Sequence, residues 1–196
     1  TDSADLYDVV TAMCHFFPFK TIYIADLDAI SGESLYLAQY QQLTERFPDI
    51  TFWVDAGVKN RADWIGLSAI AGLCPILASE SLQDIALLEA DRNGVLSLDF
   101  KQGQFLGDER LWEGTSCWPN QVIVMNLDYV GVNQGPDLTL LQKVRSKGNA
   151  VGIIAAGGVR NVAYLTMLEN EGIKAVLVAS ALHDGRLRHH DLKIFT

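Results

Sequence analysis

Ala155-Ala156-Gly157-Gly158-Val159-Arg160-Asn161 ends an apolar run, interrupts it with two glycines and opens a helix-like stretch. A glycine pair at the end of a strand lets backbone amides approach a ligand closely, and an anion suits such amides well. The chain carries an echo of this stretch 101 residues earlier, in Gly57-Val58-Lys59-Asn60. Two further pairs fall in nearly the same register. Ala25-Asp26-Leu27-Asp28 matches Met125-Asn126-Leu127-Asp128 at an offset of 100, and Ala78-Ser79 matches Ala179-Ser180 at 101. Three matches in one register predict a single domain, 1–196, built of two related halves, about 1–93 and 94–196.

Working outward, continuous apolar runs alternate with helical patterns. Strands are expected at 21–25, 50–54, 74–77, 94–98, 122–125, 150–155 and 173–178. Leu6, Val9, Val10 and Met13 recur at helical spacing, with Asp2 or Ser3 available as the cap. Further helices are expected at 35–47, stopped by Pro48, and at 62–70, 82–90, 138–146 and 162–170, with a last one in the tail from Arg186. The least regular stretch, 101–120, contains Gly103, Gly107, Gly114 and Pro119 and predicts a long loop with a short hairpin or helix. Runs that are apolar throughout belong to strands covered on both faces, as in parallel α/β sheets. With starts taken at 21, 50 and 73 in the first half and at 121, 150 and 173 in the second, the spacings 29 and 23 recur. One period of about 100 residues holds four βα units, so two periods make eight. The expected fold is therefore α/β, a (β/α)8 TIM-type barrel of two half-barrel repeats. Its strand 1 is absent from this chain, which leaves a gap in the wall, because one more step back falls before residue 1.

The net charge of −9 argues against a nucleic-acid partner, which needs a basic footprint. It does not argue against a small phosphorylated substrate, because backbone amides can hold phosphate within an acidic protein. No apolar run approaches the ~18 residues of a membrane helix, and the acidic start of the chain does not read as a signal peptide. Cys14, Cys74 and Cys117 form no C-x-x-C pair and suggest reduced thiols in a cytoplasmic protein. His15, His183, His189 and His190 lack the helical spacing of a metal pair, so neither metal nor cofactor is expected. The oligomeric state is not legible.

In a barrel of this type the chemistry sits at the C-terminal ends of the strands, with phosphate on the last two loops. Gly157 and Gly158 occupy one of these loops, Ala179 and Ser180 the other. Gly57 and Ser79 repeat the arrangement more weakly, because Asp55 and Glu80 would repel an anion there unless they face away. Acidic residues at strand ends are the acid/base candidates, namely Asp26, Asp28, Asp99 and Asp128. Of these, Asp99 follows Ser97-Leu98 in the alternation that points it into the barrel mouth. Trp112 and Trp118 could stack on a planar ligand, though packing of the irregular loop is the simpler reading.

Three stretches together carry a resemblance: 22–30 (Ile-Tyr-Ile-Ala-Asp-Leu-Asp-Ala-Ile), 156–161 and 178–182. With the two-half repeat, they make the chain similar, over nearly its whole length, to the histidine-biosynthesis barrel family. That family contains the phosphoribosylformimino-AICAR-phosphate isomerase and its sister cyclase subunit. The form of the first stretch is more like that of an uncharacterised side branch. The resemblance implies an elongated substrate with a phosphate at each of the repeat-related loops, and an Amadori rearrangement of an aminoaldose to an aminoketose. It implies an acid/base pair of aspartates, one matching Asp99 and the other on the strand that has no counterpart here. Where the family has a Thr and an Asp-Gly, this chain has Met125, Val130 and Gly131; Ala179 stands for a glycine, and Asp55-Ala56-Gly57 for three glycines. The function expected is acid/base isomerisation of a sugar-phosphate-like substrate. The alternatives are a cyclase-type lyase served by an ammonia-producing partner, or a non-catalytic phosphate-ligand-binding or assembly protein.

Overall fold

The computed structural model describes residues 3–90, 92–131, 135–148 and 151–193. Seven strands run parallel, side by side in chain order: β1 (Thr21–Ala25), β2 (Thr51–Asp55), β3 (Leu73–Ala78), β4 (Val95–Lys101), then β6 (Gln121–Asn126), β7 (Gly152–Ala156) and β8 (Ala175–Leu177). The short β5 (Gln104–Leu106) folds back antiparallel on β4. This is the nearly closed wall of a TIM-type barrel, with seven strands. Among the described residues β1 and β8 are its two open edges, separated by a slot of about 660 Å³ lined by side chains such as Phe17, Ile22, Val176 and Leu192.

Parallel pairing with period-2 alternation divides the core into two layers. Ile76, Val95, Ile123, Ile154 and Ala156 pack together inside the barrel, with Tyr23, Trp53 and Met125 against them. Residues next in line, such as Phe52, Leu77, Leu96, Val124 and Ala155, face outward into the layer beneath the helices. Each fully buried Leu or Ile contributes ~1.5–3 kcal/mol, so these two layers dominate the stability of the wall. Burial is complete along the middle of the sheet, where six of the seven residues of β4 are buried. It is lost at the edges, where β8 is exposed or half-buried throughout.

The helices follow their capping residues. Helix α1 (Leu6–Phe16) starts from Asp5, whose carboxylate accepts the amides of Tyr7 and Asp8. Ser3 is not that cap; its hydroxyl accepts the Asp5 amide, and Asp2 lies outside the described residues. The short α2 (Leu27–Ile30) was not anticipated; Asp26 caps it. Helix α3 (Leu37–Arg46) stops before Pro48. Asn60 caps α4 (Arg61–Ser68), and Asn161 caps α8 (Val162–Asn170). The helix expected over 82–90 shrinks to α5 (Ala86–Ala90). The irregular stretch contains the β4–β5 hairpin, α6 (Glu109–Glu113) and a single 3-10 turn, Thr115–Cys117. The hairpin turns on Gln102 and Gly103, both at positive φ as a two-residue I′ turn requires. Helix α7 is Leu138–Lys147, the short α9 (Ser180–His183) follows β8, and the expected tail helix is the short α10 (His189–Leu192). No helix among the described residues is long and apolar enough to cross a membrane.

Candidate functional site

A recess of about 150 Å³ opens at the C-terminal ends of β6, β7 and β8. Gly157, Gly158, Ala179 and Ser180, expected on sequence grounds at a phosphate, all line it. Both glycines have positive φ, at 98° and 80°. A Cβ on Gly158 would fall 1.9 Å from the Gly135 carbonyl oxygen, so only glycine fits this turn. Ala179 and Ser180 are exposed where the chain leaves β8 for α9. Two cations that the sequence did not single out complete the wall, Arg160 and Arg186. The Arg160 guanidinium lies over the Tyr164 ring at 5.7 Å and donates to its hydroxyl at 3.3 Å. Its Nε is buried with no hydrogen-bond partner among the described residues. Arg186 is ion-paired with Asp184 at 2.9 Å. Amides and guanidinium groups around one small recess make it a place for an anion inside an acidic protein.

Gly57 and Ser79 have a different environment. Gly57 is buried at φ 63°, and its amide donates to Asp55 Oδ1 at 3.2 Å. Ser79 is buried, accepts the Asp99 amide at 2.9 Å and donates its hydroxyl to Asp99 Oδ2 at 3.1 Å. The hairpin crosses directly over it, since a Cβ on Gly107 would meet the Ser79 carbonyl at 2.4 Å. Asp55 does not face away; it points into the barrel, on the face that carries Trp53. The polar groups of both residues are thus taken up by the protein's own carboxyls.

Asp99 shares the inward face of β4 with Val95 and Ser97. It is 3 % exposed, and its carboxyl accepts from the Ser97 hydroxyl at 2.7 Å, from the Ser79 hydroxyl and from the Glu80 amide at 3.4 Å. Burial nevertheless outweighs these bonds and raises its pKa above the ordinary carboxylate value. Asp55, 6 % exposed, is pushed up to about 6 by burial, with Asp99 and Glu80 adding to the rise against the Gly57 amide and the Tyr23 hydroxyl. The Tyr23 hydroxyl donates to Asp55 Oδ2 at 3.3 Å, and Tyr23 also lines the recess. Its own pKa is raised by burial and then by Asp55 and Asp99. The carboxyl cluster and the anion recess therefore meet at one phenol. Asp55 and Tyr23 were missed as site residues. Their signal was the alternation along β1 and β2, which turns both inward.

The other candidates have structural roles. Asp26 caps α2 and accepts the Tyr40 hydroxyl. Asp128 accepts the Gln102 amide of the hairpin turn, and its mate Asp28 is exposed. Trp118 is buried with its Nε1 donating to the Leu111 carbonyl at 2.7 Å; Trp112 stacks on Phe105 beside Lys147. Both tryptophans pack the irregular stretch. Among the described residues no three His, Cys, Asp or Glu side chains converge to hold a metal ion.

Residues 8–188 match the family model described as histidine biosynthesis protein. The chain belongs to this family. Within it, the chain is 34% identical over 172 residues to a protein of Methanocaldococcus jannaschii described only as uncharacterised, covering 86% of this chain and 73% of that protein. It is 27% identical over 189 residues to the 1-(5-phosphoribosyl)-5-((5-phosphoribosylamino)methylideneamino)imidazole-4-carboxamide isomerase of Syntrophomonas wolfei, covering 85% of this chain and 76% of that enzyme. The isomerase of the same name from Methanosarcina acetivorans is 26% identical over 193 residues, with 85% and 76% covered. Membership of the family is thus secured by nearly the whole barrel.

Proposed function

We propose that this barrel binds a small phosphorylated substrate in the recess at the ends of β6–β8 and isomerises it by acid/base catalysis, with Asp99 as one proton-transfer group. The observation that carries the reading is the meeting of the two halves of the site at Tyr23, which lines the anion recess and hydrogen-bonds into the carboxyl cluster. Gly157 and Gly158 present backbone to the phosphate, Ser180 and the exposed turn at Ala179 close over it, and Arg160 and Arg186 balance its charge. Asp99, buried and raised in pKa, holds a proton closer to neutral pH than an exposed carboxylate would, as a general acid/base must. The relatives named as isomerases act on a phosphoribosylated aminoimidazole carboxamide, and the class of substrate favoured here is an aminoaldose phosphate of that kind. The test is complementation of an isomerase-deficient histidine auxotroph by the full-length gene, alongside assay of the purified protein on that substrate. Growth and turnover are expected, with Asp99→Asn lowering kcat by ~10²–10⁴ while the fold persists. Failure of the wild type on both counts would overturn the proposed reaction; unchanged turnover in Asp99→Asn would remove Asp99 from it.

A further inference from the structure

The two sides of the barrel mouth differ in the donors they leave unspent. On the side of β6–β8, no bond among the described residues ties down the amides of Gly157 and Gly158, and Arg160 and Arg186 stand in the wall. On the side of β2 and β3 the corresponding donors are taken. The Gly57 amide donates to Asp55 Oδ1 at 3.2 Å, and the Lys59 amide to Asp63 Oδ2 at 3.1 Å. The Ser79 amide donates to the Ser97 carbonyl at 2.8 Å and its hydroxyl to Asp99 Oδ2 at 3.1 Å. The Glu80 amide is turned to Asp99 at 3.4 Å, and the Ser81 amide and hydroxyl both to the Ala78 carbonyl, at 3.1 and 3.2 Å. An anion placed here would have to displace carboxyl groups from their donors and then sit beside them.

Charge and room act in the same direction. Asp55 ends β2, Glu80 follows β3 and Asp99 lies near the end of β4. Against these three carboxyls stand two cations, Lys101 at the end of β4 and Lys59, at the position of Arg160 in the repeat. The space above Ser79 is filled by backbone. The β4–β5 hairpin pairs Leu106 with Asp99, and a Cβ on the next residue, Gly107, would fall 2.4 Å from the Ser79 carbonyl oxygen.

We propose that the substrate of this site carries one phosphate, bound in the recess at the ends of β6–β8, and that its opposite end, toward β2–β4, bears no anion; the inference rests on the isomerase reading above. Asp55 and Glu80 are the residues that set this specificity. A second phosphate brought beside them loses affinity through repulsion and unpaired donors, with no change in the chemistry at the reacting carbon. The relatives named as isomerases act on a compound whose name carries two phosphoribosyl groups. This chain binds such a compound through one phosphate and in spite of the other. The class of substrate that fits better is an aminoaldose monophosphate whose far end offers hydroxyls or an amine, groups that a carboxylate can accept from.

Calorimetric titration of the full-length protein at pH 8 tests this without turnover. The probes are inorganic phosphate, the doubly phosphorylated compound named above and its two singly dephosphorylated forms. One of the singly dephosphorylated forms is expected to bind the wild type as tightly as the doubly phosphorylated compound, or several-fold more tightly. A loss of about tenfold or more on removing either phosphate would overturn the inference, because each phosphate would then be contributing to binding. The double variant Asp55→Asn, Glu80→Gln keeps an acceptor for the Gly57 amide and removes two charges. Its preference for the doubly over the singly phosphorylated ligand is expected to rise ~10-fold. An unchanged ratio would overturn the assignment to these two residues, since a merely structural loss weakens both ligands alike. Binding of a singly phosphorylated form with no turnover of any of the three compounds would overturn the isomerase reading and leave the preference for one phosphate intact. Failure of inorganic phosphate and all three compounds to bind would overturn both.

Discussion

The loop after β2 and the loop after β7 have nearly the same backbone and opposite chemistry. Gly57 and Gly158 both take positive φ, and Asn60 and Asn161 cap the following helices in the same extended conformation. After β7 the loop backbone lines a recess walled by two arginines. After β2 the Gly57 amide is spent on Asp55, and the neighbouring Ser79 on Asp99. Backbone form decides where a ligand could approach. Charged side chains from neighbouring strands decide whether an anion is welcome there.

The comparison can be broken most forcefully at its glycines. Gly158→Ala places a Cβ against the Gly135 carbonyl, and at least ~3 kcal/mol of stability should be lost, because backbone has to move. Gly57→Ala meets backbone less severely, the Ile30 Cα at 2.9 Å and the Ala29 carbonyl oxygen at 3.6 Å, at a φ of 63°, and should cost less, about 2 kcal/mol. Urea denaturation of the two variants measures the difference; equal losses would show that the loops are equally constrained.

Next comes the charge. Asp55 has a pKa raised from 3.8 to about 6, so the native state resists its ionisation more than the unfolded chain does. The associated stability is full below pH about 4 and is lost as the pH rises through about 6. Asp55→Asn should therefore be more stable than the wild type at pH 7, by about 3 kcal/mol, with the gain vanishing near pH 4. Thermal melts at the two pH values check this; a variant less stable at pH 7 would refute the sign.

The smallest contrast lies in the serines. Ser79→Ala strips buried Asp99 of two hydrogen bonds and should cost ~1–3 kcal/mol. Ser180→Ala, at an exposed residue, should leave stability within ~0.5 kcal/mol and weaken inorganic phosphate binding a few-fold. Calorimetry with phosphate and a denaturation curve for each separates the two. If Ser180→Ala binds phosphate as tightly as the wild type, its hydroxyl plays no part in the recess.

Strand positions were legible because continuous apolar runs are a strong signal, and β1 over Thr21–Ala25 and α8 over Val162–Asn170 match their expected limits. Short capped turns were not. α2 is a single turn, stabilised by Asp26 and closed by the distant Tyr40 hydroxyl, and a segment that short leaves no periodicity to read. The helix expected over 82–90 lost its first turn because Ser81 and Leu82 bond back to the Ala78 carbonyl and Gln83 bonds to the Lys59 carbonyl. In the candidate site the glycines and Asp99 could be named from position along a strand. Arg186 lies outside any motif, and the barrel wall alone brings it to Gly158.

The sequence by itself determined the order of strands and helices, the inward position of Asp99 and the family, because these depend on local periodicity and short motifs. Only the tertiary structure decided which polar groups are already spoken for. That depends on contacts between residues far apart in the chain: Tyr23 with Asp55, Ser79 with Asp99, and Gly135 over Gly158. Burial created by the closing wall then raised the pKa of two carboxyls, Asp55 to about 6 and Asp99 above its ordinary value.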